Sequence, residues 1–443
     1  MLSSHPATKN CANNVVIIDY EDLLSDPEEP SSKVKLYPLL TRAFGSKTYG
    51  NSNSVSEPSP PHPPPLGLIA IRNIPTFVSK KQKLFQKIFN LATLPQDYLE
   101  GNLTDAKSLY NAGWSHGKEK LGRNATPDLS KASFYFNPIT DVPGTEEERD
   151  LYPASYPCNI WPDESVTPGF EDCAKSLGCL MKDVVVLLAR HIDVFVSDVI
   201  ENSDESKRKL VKIGAEMEKT EKVKGRILYY FPLDIENGSA EEKCTNKTTN
   251  TITKKEDSWI GWHNDSGFLT ALAGDAYIDH TTGKILDKKY VDPSAGLHVM
   301  DRNGTVVKVD IPEDCMGIQI GECLQIVTGG AVVATPHCVR GADPYYKYTD
   351  IEDENNLKVK NNVARISFPC FIDTIPSFPL SVPGGCKRED VIKSTVRSAR
   401  SVDDTSSSYS IVPPLEDRWV KDGMEFGVFL QKTFAMYYDW SLK

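Results

Sequence analysis

From Gly225 onward the apolar residues recur at every second position in short runs, and this change of period limits the fold more than any other feature of the chain. The runs are "GRILYYFPL" (225–233), "WIGWHNDSGFLTAL" (259–272), "GLHVMD" (296–301), "VVKVDIP" (306–312), "GIQIGECLQIVTGG" (317–330), "AVVATPHCV" (331–339) and "VARISFPCFID" (363–373). Alternation puts successive side chains on opposite faces of a pleated strand, so each run has an apolar face that must be covered. Many short strands separated by turn residues predict a β-sandwich or barrel.

The N-terminal half has a different texture. "VVIIDYEDLL" (15–24) reads as a short buried strand and is followed by "SNSVSEPSPPHPPPLG" (52–67), a Ser/Pro tract that cannot pack a core. Apolar residues at helical spacing then predict helices within 79–94 and over 168–200, and "FGVFLQKTFAMYYDW" (426–440) predicts a last helix after the Ser-rich break at 403–410. The expected organisation is an N-terminal strand with a flexible Ser/Pro segment (1–66), a mostly helical region (67–220), a β core (221–380) and a C-terminal extension (381–443). Such a chain is mainly β with flanking helices, in the α+β class.

The balance of charge narrows the partners. A formal net charge of −11 argues against nucleic acid, which requires a basic face to displace counterions. The most basic stretch, 204–226, has Glu residues interleaved with its lysines and reads as a solvated helix face. "VVVLLA" (184–189) is far too short to cross a bilayer, the first residues lack a secretory pattern, and ten cysteines form no CxxC pair. The expectation is a cytoplasmic monomer, with neither membrane nor nucleic acid as partner, acting on a small molecule.

Within the β half the informative feature is a triplet. His263-Asn264-Asp265 sits in a strand-like run, where residues i and i+2 share a face, so an imidazole and a carboxylate can converge on one point. A second H-x-D triplet, His191 to Asp193, lies in the long predicted helix, where i and i+2 point about 200° apart, and an ordinary hydrogen-bonding role is expected there. Two ligands hold a metal poorly, and "ATPHCVRG" offers His337 as a third. Two histidines and one carboxylate leave the opposite face of an octahedral ion open, the arrangement that suits non-haem Fe(II) and O2, whereas structural zinc prefers four ligands rich in thiolate. Downstream, Arg365 and Ser367 also stand at i and i+2, and a guanidinium beside a hydroxyl makes a clamp for an acidic cosubstrate.

This ordered set resembles the iron(II)/2-oxoglutarate-dependent dioxygenases, in particular the isopenicillin N synthase-like branch. "LGLIAIRNIP" (66–75), "SFYFNP" (133–138), "NIWPDESVTPGFE" (159–171), "RILYYFPL" (226–233) and "IQIGECLQIVTGG" (318–330) extend the likeness over most of residues 15 to 380. The resemblance implies a double-stranded β-helix, the cupin-like jelly roll, with His263, Asp265 and His337 on Fe(II). It implies Arg365 and Ser367 on the distal carboxylate of 2-oxoglutarate, assisted by a tyrosine of "YYFP", with Tyr230 preferred to Tyr229. The implied reaction couples O2 and decarboxylation of 2-oxoglutarate to succinate with oxidation of a substrate, most often hydroxylation. Trp114, His116 and Lys118 fall where such proteins often place a segment over the pocket, and are the candidate substrate contacts.

The stretches 276–294 and 343–362 are longer than the usual connections of that family and are expected to be surface loops. Three rivals stand beside the dioxygenase reading: an isopenicillin N synthase-like oxidase that does not use 2-oxoglutarate, a catalytically silent jelly-roll binding protein, and a zinc-bound structural cupin.

Overall fold

A computed structural model describes residues 15–45, 63–118, 120–121, 126–200, 212–233, 259–346, 362–396 and 412–438. The larger of its two main sheets has eight strands. Their spatial order is Val16–Asp19, Leu68–Arg72, Met316–Ile320, Leu269–Asp279, Val363–Ile372, Val223–Tyr230, Lys131–Phe136 and Gly113–His116. The smaller sheet runs Val306–Lys308, Gly296–Met300, His337–Arg340, Ile260–His263. Among the described residues only Val16–Asp19 and Leu68–Arg72 pair in parallel; the other neighbours in both sheets are antiparallel. Gln319 of the larger sheet reaches His337 of the smaller, so the two sheets face each other across a shared interior. This is the jelly roll with flanking helices that the alternating runs predict.

The outer face of the large sheet is closed by the helix Phe170–Ile200. Leu177, Met181, Val184, Leu188, Ile192 and Phe195 recur every three or four residues along it and are buried. It packs on the strands Leu269–Asp279 and Val363–Ile372, which leaves the other face of those strands to form the interior between the sheets. No helix among the described residues is long and apolar enough to cross a membrane.

Several local expectations change. The "VVIIDYEDLL" strand ends at Asp19, and Tyr20–Leu23 forms one helical turn. A helix over Pro30–Phe44, opened by proline in its first turn, adds to those the periodicity predicts. Residues 67–220 contribute three strands to the large sheet, Leu68–Arg72, Gly113–His116 and Lys131–Phe136, so the helical region and the β core interleave. In "GIQIGECLQIVTGG" the strand stops at Ile320 and Glu322–Val327 is helical. Tertiary hydrogen bonds account for that turn, since Gly321, Glu322 and Cys323 donate their backbone N–H groups to the carbonyls of Phe268, Asp265 and Gly267. The Ser/Pro tract lies largely outside the described residues, as do the break at 403–410 and most of 343–362 and 204–211.

Candidate active site

Strand pairing assembles the metal candidates. The strand Ile260–His263 lies antiparallel to His337–Arg340 with His263 directly opposite His337, and the two ring centroids are 4.2 Å apart. Asp265 Oδ1 is 3.8 Å from His337 Nε2. One ligand atom from each of the three residues lies within 4.8 Å of the others. The strand ends at His263, so Asp265 arrives from the following turn and not from a strand face, as simple alternation implied. Glu322 fixes that turn by donating its backbone N–H to the Asp265 carbonyl at 2.8 Å.

Both imidazoles are oriented from behind. Nδ1 of His263 is 2.8 Å from the Gly261 carbonyl, and Nδ1 of His337 is 3.2 Å from the Thr335 carbonyl. A carbonyl can only accept, so each Nδ1 carries the hydrogen and each Nε2 keeps its lone pair for a metal. The Gln319 side-chain amide is 2.7 Å from the same His337 Nδ1, and turned with its oxygen toward the ring it accepts that hydrogen too. Burial and the neighbouring His337 drive the pKa of His263 well below the ordinary imidazole value, keeping it in the neutral form that ligation needs. The three residues are the only such group among the described residues. Two imidazole nitrogens, one carboxylate oxygen and no thiolate fit an octahedral Fe(II) with an open face better than a closed zinc site.

Across the interior, Arg365 and Ser367 project from one face of the strand Val363–Ile372 into the cavity that His263, Asp265 and His337 also line. Arg365 pairs in register with Tyr230 on one side and Tyr277 on the other, and its guanidinium lies 4.9 Å from the Tyr230 ring centroid. Its Nε donates to Asp275 Oδ2 at 2.9 Å, while its Nη1 is buried with no hydrogen-bond partner. A buried unpaired guanidinium nitrogen at a cavity is costly unless an acceptor enters. The alternation of Leu269–Asp279 would turn Asp275 away from the cavity face that Thr270 and Leu272 share. A bulge beside Gly274, whose φ is +83°, shifts the register and brings Asp275 round to Arg365.

Burial opposes ionisation of Asp275, but Arg365 and Lys288 overcome it and hold the carboxyl down at about 2. A carboxyl with a depressed folded pKa stabilises the protein above its unfolded value near 4, and that contribution is lost as pH falls toward 2. We therefore expect wild type to lose about 2 kcal/mol more stability than Asp275→Asn between pH 5 and pH 2, measured by urea unfolding. Equal losses in the two proteins would count against the ion pair.

Of the paired tyrosines, Tyr230 lines the cavity and Tyr229 turns to the other face, where its hydroxyl is 2.7 Å from His280 Nδ1. Trp114, His116 and Lys118 are not brought to this cavity. They lie at the outer edge of the large sheet, with His116 Nε2 3.2 Å from the Leu129 carbonyl and Lys118 paired to Glu100 at 2.8 Å. An edge strand, and not a lid over the pocket, occupies that part of the chain. His191 and Asp193 are also apart in function: His191 Nε2 meets the Leu23 carbonyl at 3.2 Å, and Asp193 accepts from the backbone N–H groups of Ile213 and Gly214. His191→Ala should thus leave metal content unchanged while costing roughly 1–3 kcal/mol of stability for the orphaned carbonyl. Metal analysis of the purified variant checks it, and loss of metal would mean the wrong triplet had been chosen.

Sequence reasoning missed Gln319, Asp275, Tyr277 and Arg226. Arg226 lines the cavity on the same strand face as Tyr230, with its Nε donating to Ser133 Oγ. Its i, i+4 spacing to Tyr230 on a predicted strand was the available signal.

No family model matches the sequence, and no curated protein matches it. Among solved structures, the fold matches a full-length Neurospora crassa protein in complex with alpha-KG, with a TM-score of 0.53 at 17% identity over 85% of this chain and 91% of that one. It also matches JOX2 in complex with 2OG, Fe and JA, with a TM-score of 0.51 at 13% identity over 95% of this chain and 84% of that one. A Caulobacter crescentus protein assigned to the 2OG-Fe(II) oxygenase family gives a TM-score of 0.51 at 14% identity over 90% and 96%. The chain has the fold of the 2OG-Fe(II) oxygenases.

Proposed function

We propose that this chain is a non-haem Fe(II)- and 2-oxoglutarate-dependent oxygenase that oxidises a small molecule, most often by hydroxylation in enzymes of this kind. The observation that carries the reading is a single cavity lined both by the His263, Asp265 and His337 cluster and by Arg365, whose buried Nη1 has no partner. The fold shared with the Neurospora crassa protein in complex with alpha-KG and with JOX2 in complex with 2OG and Fe supports it.

Bound iron would supply O2 activation coupled to decarboxylation of the keto acid. His263, Asp265 and His337 would hold it, and the protein's own work is positioning. The Gly261 and Thr335 carbonyls keep both rings in the Nε2-ligating tautomer. Arg365 receives the distal carboxylate of 2-oxoglutarate on Nη1 while Asp275 and the Tyr230 ring fix the plane of the guanidinium, and Ser367 offers a hydroxyl donor beside it. Leu228, Ile260, Leu297, Val309 and Val339 give the cavity apolar walls that limit water.

The oxidase alternative has one observation in its favour: Arg365 already holds an internal carboxylate in Asp275, so it does not depend on a cosubstrate for charge balance. Succinate formation separates the two. The dioxygenase reading expects 2-oxoglutarate to be consumed with succinate released in an Fe(II)-dependent manner; a protein that consumes O2 with a substrate but never yields succinate is the oxidase.

A further inference from the structure

The middle residue of the metal triplet opens a chain of contacts that leads out of the jelly roll. Asn264 is buried and donates from Nδ2 to Glu322 Oε1 at 3.1 Å. The same Glu322 donates its backbone N–H to the Asp265 carbonyl. Its carboxylate is gripped by Arg418, which donates from Nη1 to Oε2 at 2.5 Å and from Nη2 to Oε1 at 2.7 Å. Glu322 and Arg418 are 1% and 0% exposed, so the pair is cut off from water and depends on its own geometry. Arg418 comes from the C-terminal segment, where Thr433 Oγ1 and the Pro413 carbonyl also hold it, and its guanidinium lies 5.4 Å from the Phe429 ring centroid.

A two-pronged, fully buried guanidinium–carboxylate pair fixes a plane, not merely a distance. Here that plane sets where Asn264 and the Asp265 carbonyl lie, and these bracket the turn that carries Asp265 to the two histidines. A plain stability role would be served by apolar residues of similar volume, which usually do at least as well as a buried ion pair. We propose that Arg418, acting through Glu322 and Asn264, is a positioning residue for the metal site, so that the C-terminal segment 412–438 is coupled to metal binding. The proposal rests on the metal reading of His263, Asp265 and His337. Because such coupling is reciprocal, metal at the triplet also tightens the docking of the segment.

The test titrates Co(II), alone and without cosubstrate, into the full-length protein and follows its d–d absorption. Wild type should bind one Co(II), and Arg418→Met should bind it ~10–100-fold more weakly, the usual effect of losing a group that orients a metal ligand. Arg418→Lys should recover part of the affinity, since it restores charge without the fork. Leu188→Ala in the helix Phe170–Ile200, a buried site remote from the triplet, serves as a control for lost stability and should keep wild-type affinity. If Arg418→Met does not fold, Glu322→Gln serves in its place, because it keeps the backbone donor and an acceptor for Asn264 but loses the ionic grip. In wild type, Co(II) should also slow amide exchange in residues 412–438. Wild-type affinity in folded Arg418→Met or Glu322→Gln, equal weakening in Leu188→Ala, or exchange in 412–438 indifferent to Co(II), overturns the coupling while leaving the metal site intact. Failure of wild type itself to bind Co(II) overturns the metal reading as well.

Discussion

Replacing His263 or Asp265 by alanine should abolish stoichiometric iron binding while the protein stays folded. Each supplies one of only three donors, so the loss should exceed the ~10–100-fold typical of removing a supporting group behind a ligand. The fold should survive because the His263 ring is only half-buried and its hydrogen bond is to Gly261, two residues away, so no distant element depends on it. His337→Ala differs in one respect. It also strands Gln319, which bridges from the opposite sheet, so a larger drop in melting temperature should accompany the loss of metal. Elemental analysis with circular dichroism on the same samples reads both. Full iron occupancy in folded His263→Ala would refute the assignment.

Arg365→Leu should keep the metal and weaken 2-oxoglutarate by about 2–5 kcal/mol, the usual cost of removing one partner from a desolvated, hydrogen-bonded charge pair. The structure adds a complication, because the same substitution leaves Asp275 buried with only Lys288 opposite it. Breaking a buried pair in this way destabilises by roughly 3–5 kcal/mol, so folding must be followed alongside binding. The double variant Arg365→Leu/Asp275→Asn removes the stranded charge, and should regain much of the stability but none of the affinity. Arg365→Lys should recover only part of the binding, since an ammonium lacks the planar fork. Isothermal titration of 2-oxoglutarate into metal-loaded, oxygen-free protein gives the affinities. If the double variant binds like wild type, Arg365 is not the clamp.

The metal cluster was legible in the sequence because its geometry is local. A period-two pattern announces strands, H-x-D needs only a strand end and the next turn to converge, and His337 follows at the next strand to be laid alongside. Arg365 and Ser367 were legible for the same reason, sharing a face at i and i+2. What stayed hidden depends on departures from regularity or on long-range pairing. Asp275 sits on the wrong parity for the cavity until the bulge at Gly274 shifts it, and a bulge leaves no periodic trace. Glu322–Val327 carries strand-like residues but turns helical because three of the first N–H groups are claimed by carbonyls from 265, 267 and 268. The strands Gly113–His116 and Lys131–Phe136 were hidden by the helices around them, and with them the fact that Trp114, His116 and Lys118 stand on a sheet edge. Nothing in the spacing of Glu322 and Arg418, 96 residues apart, hints that they meet.

The most direct single measurement is an anaerobic titration of 2-oxoglutarate into Fe(II)-loaded wild-type protein, watching for the metal-to-ligand charge-transfer absorption of a chelated keto acid. The expected result is a band that saturates at one 2-oxoglutarate per chain, is absent in His263→Ala, and requires far higher 2-oxoglutarate in Arg365→Leu. A wild-type protein that holds Fe(II) but develops no band at any 2-oxoglutarate concentration, or a band that persists unchanged in His263→Ala, would contradict a 2-oxoglutarate-dependent iron centre at this site.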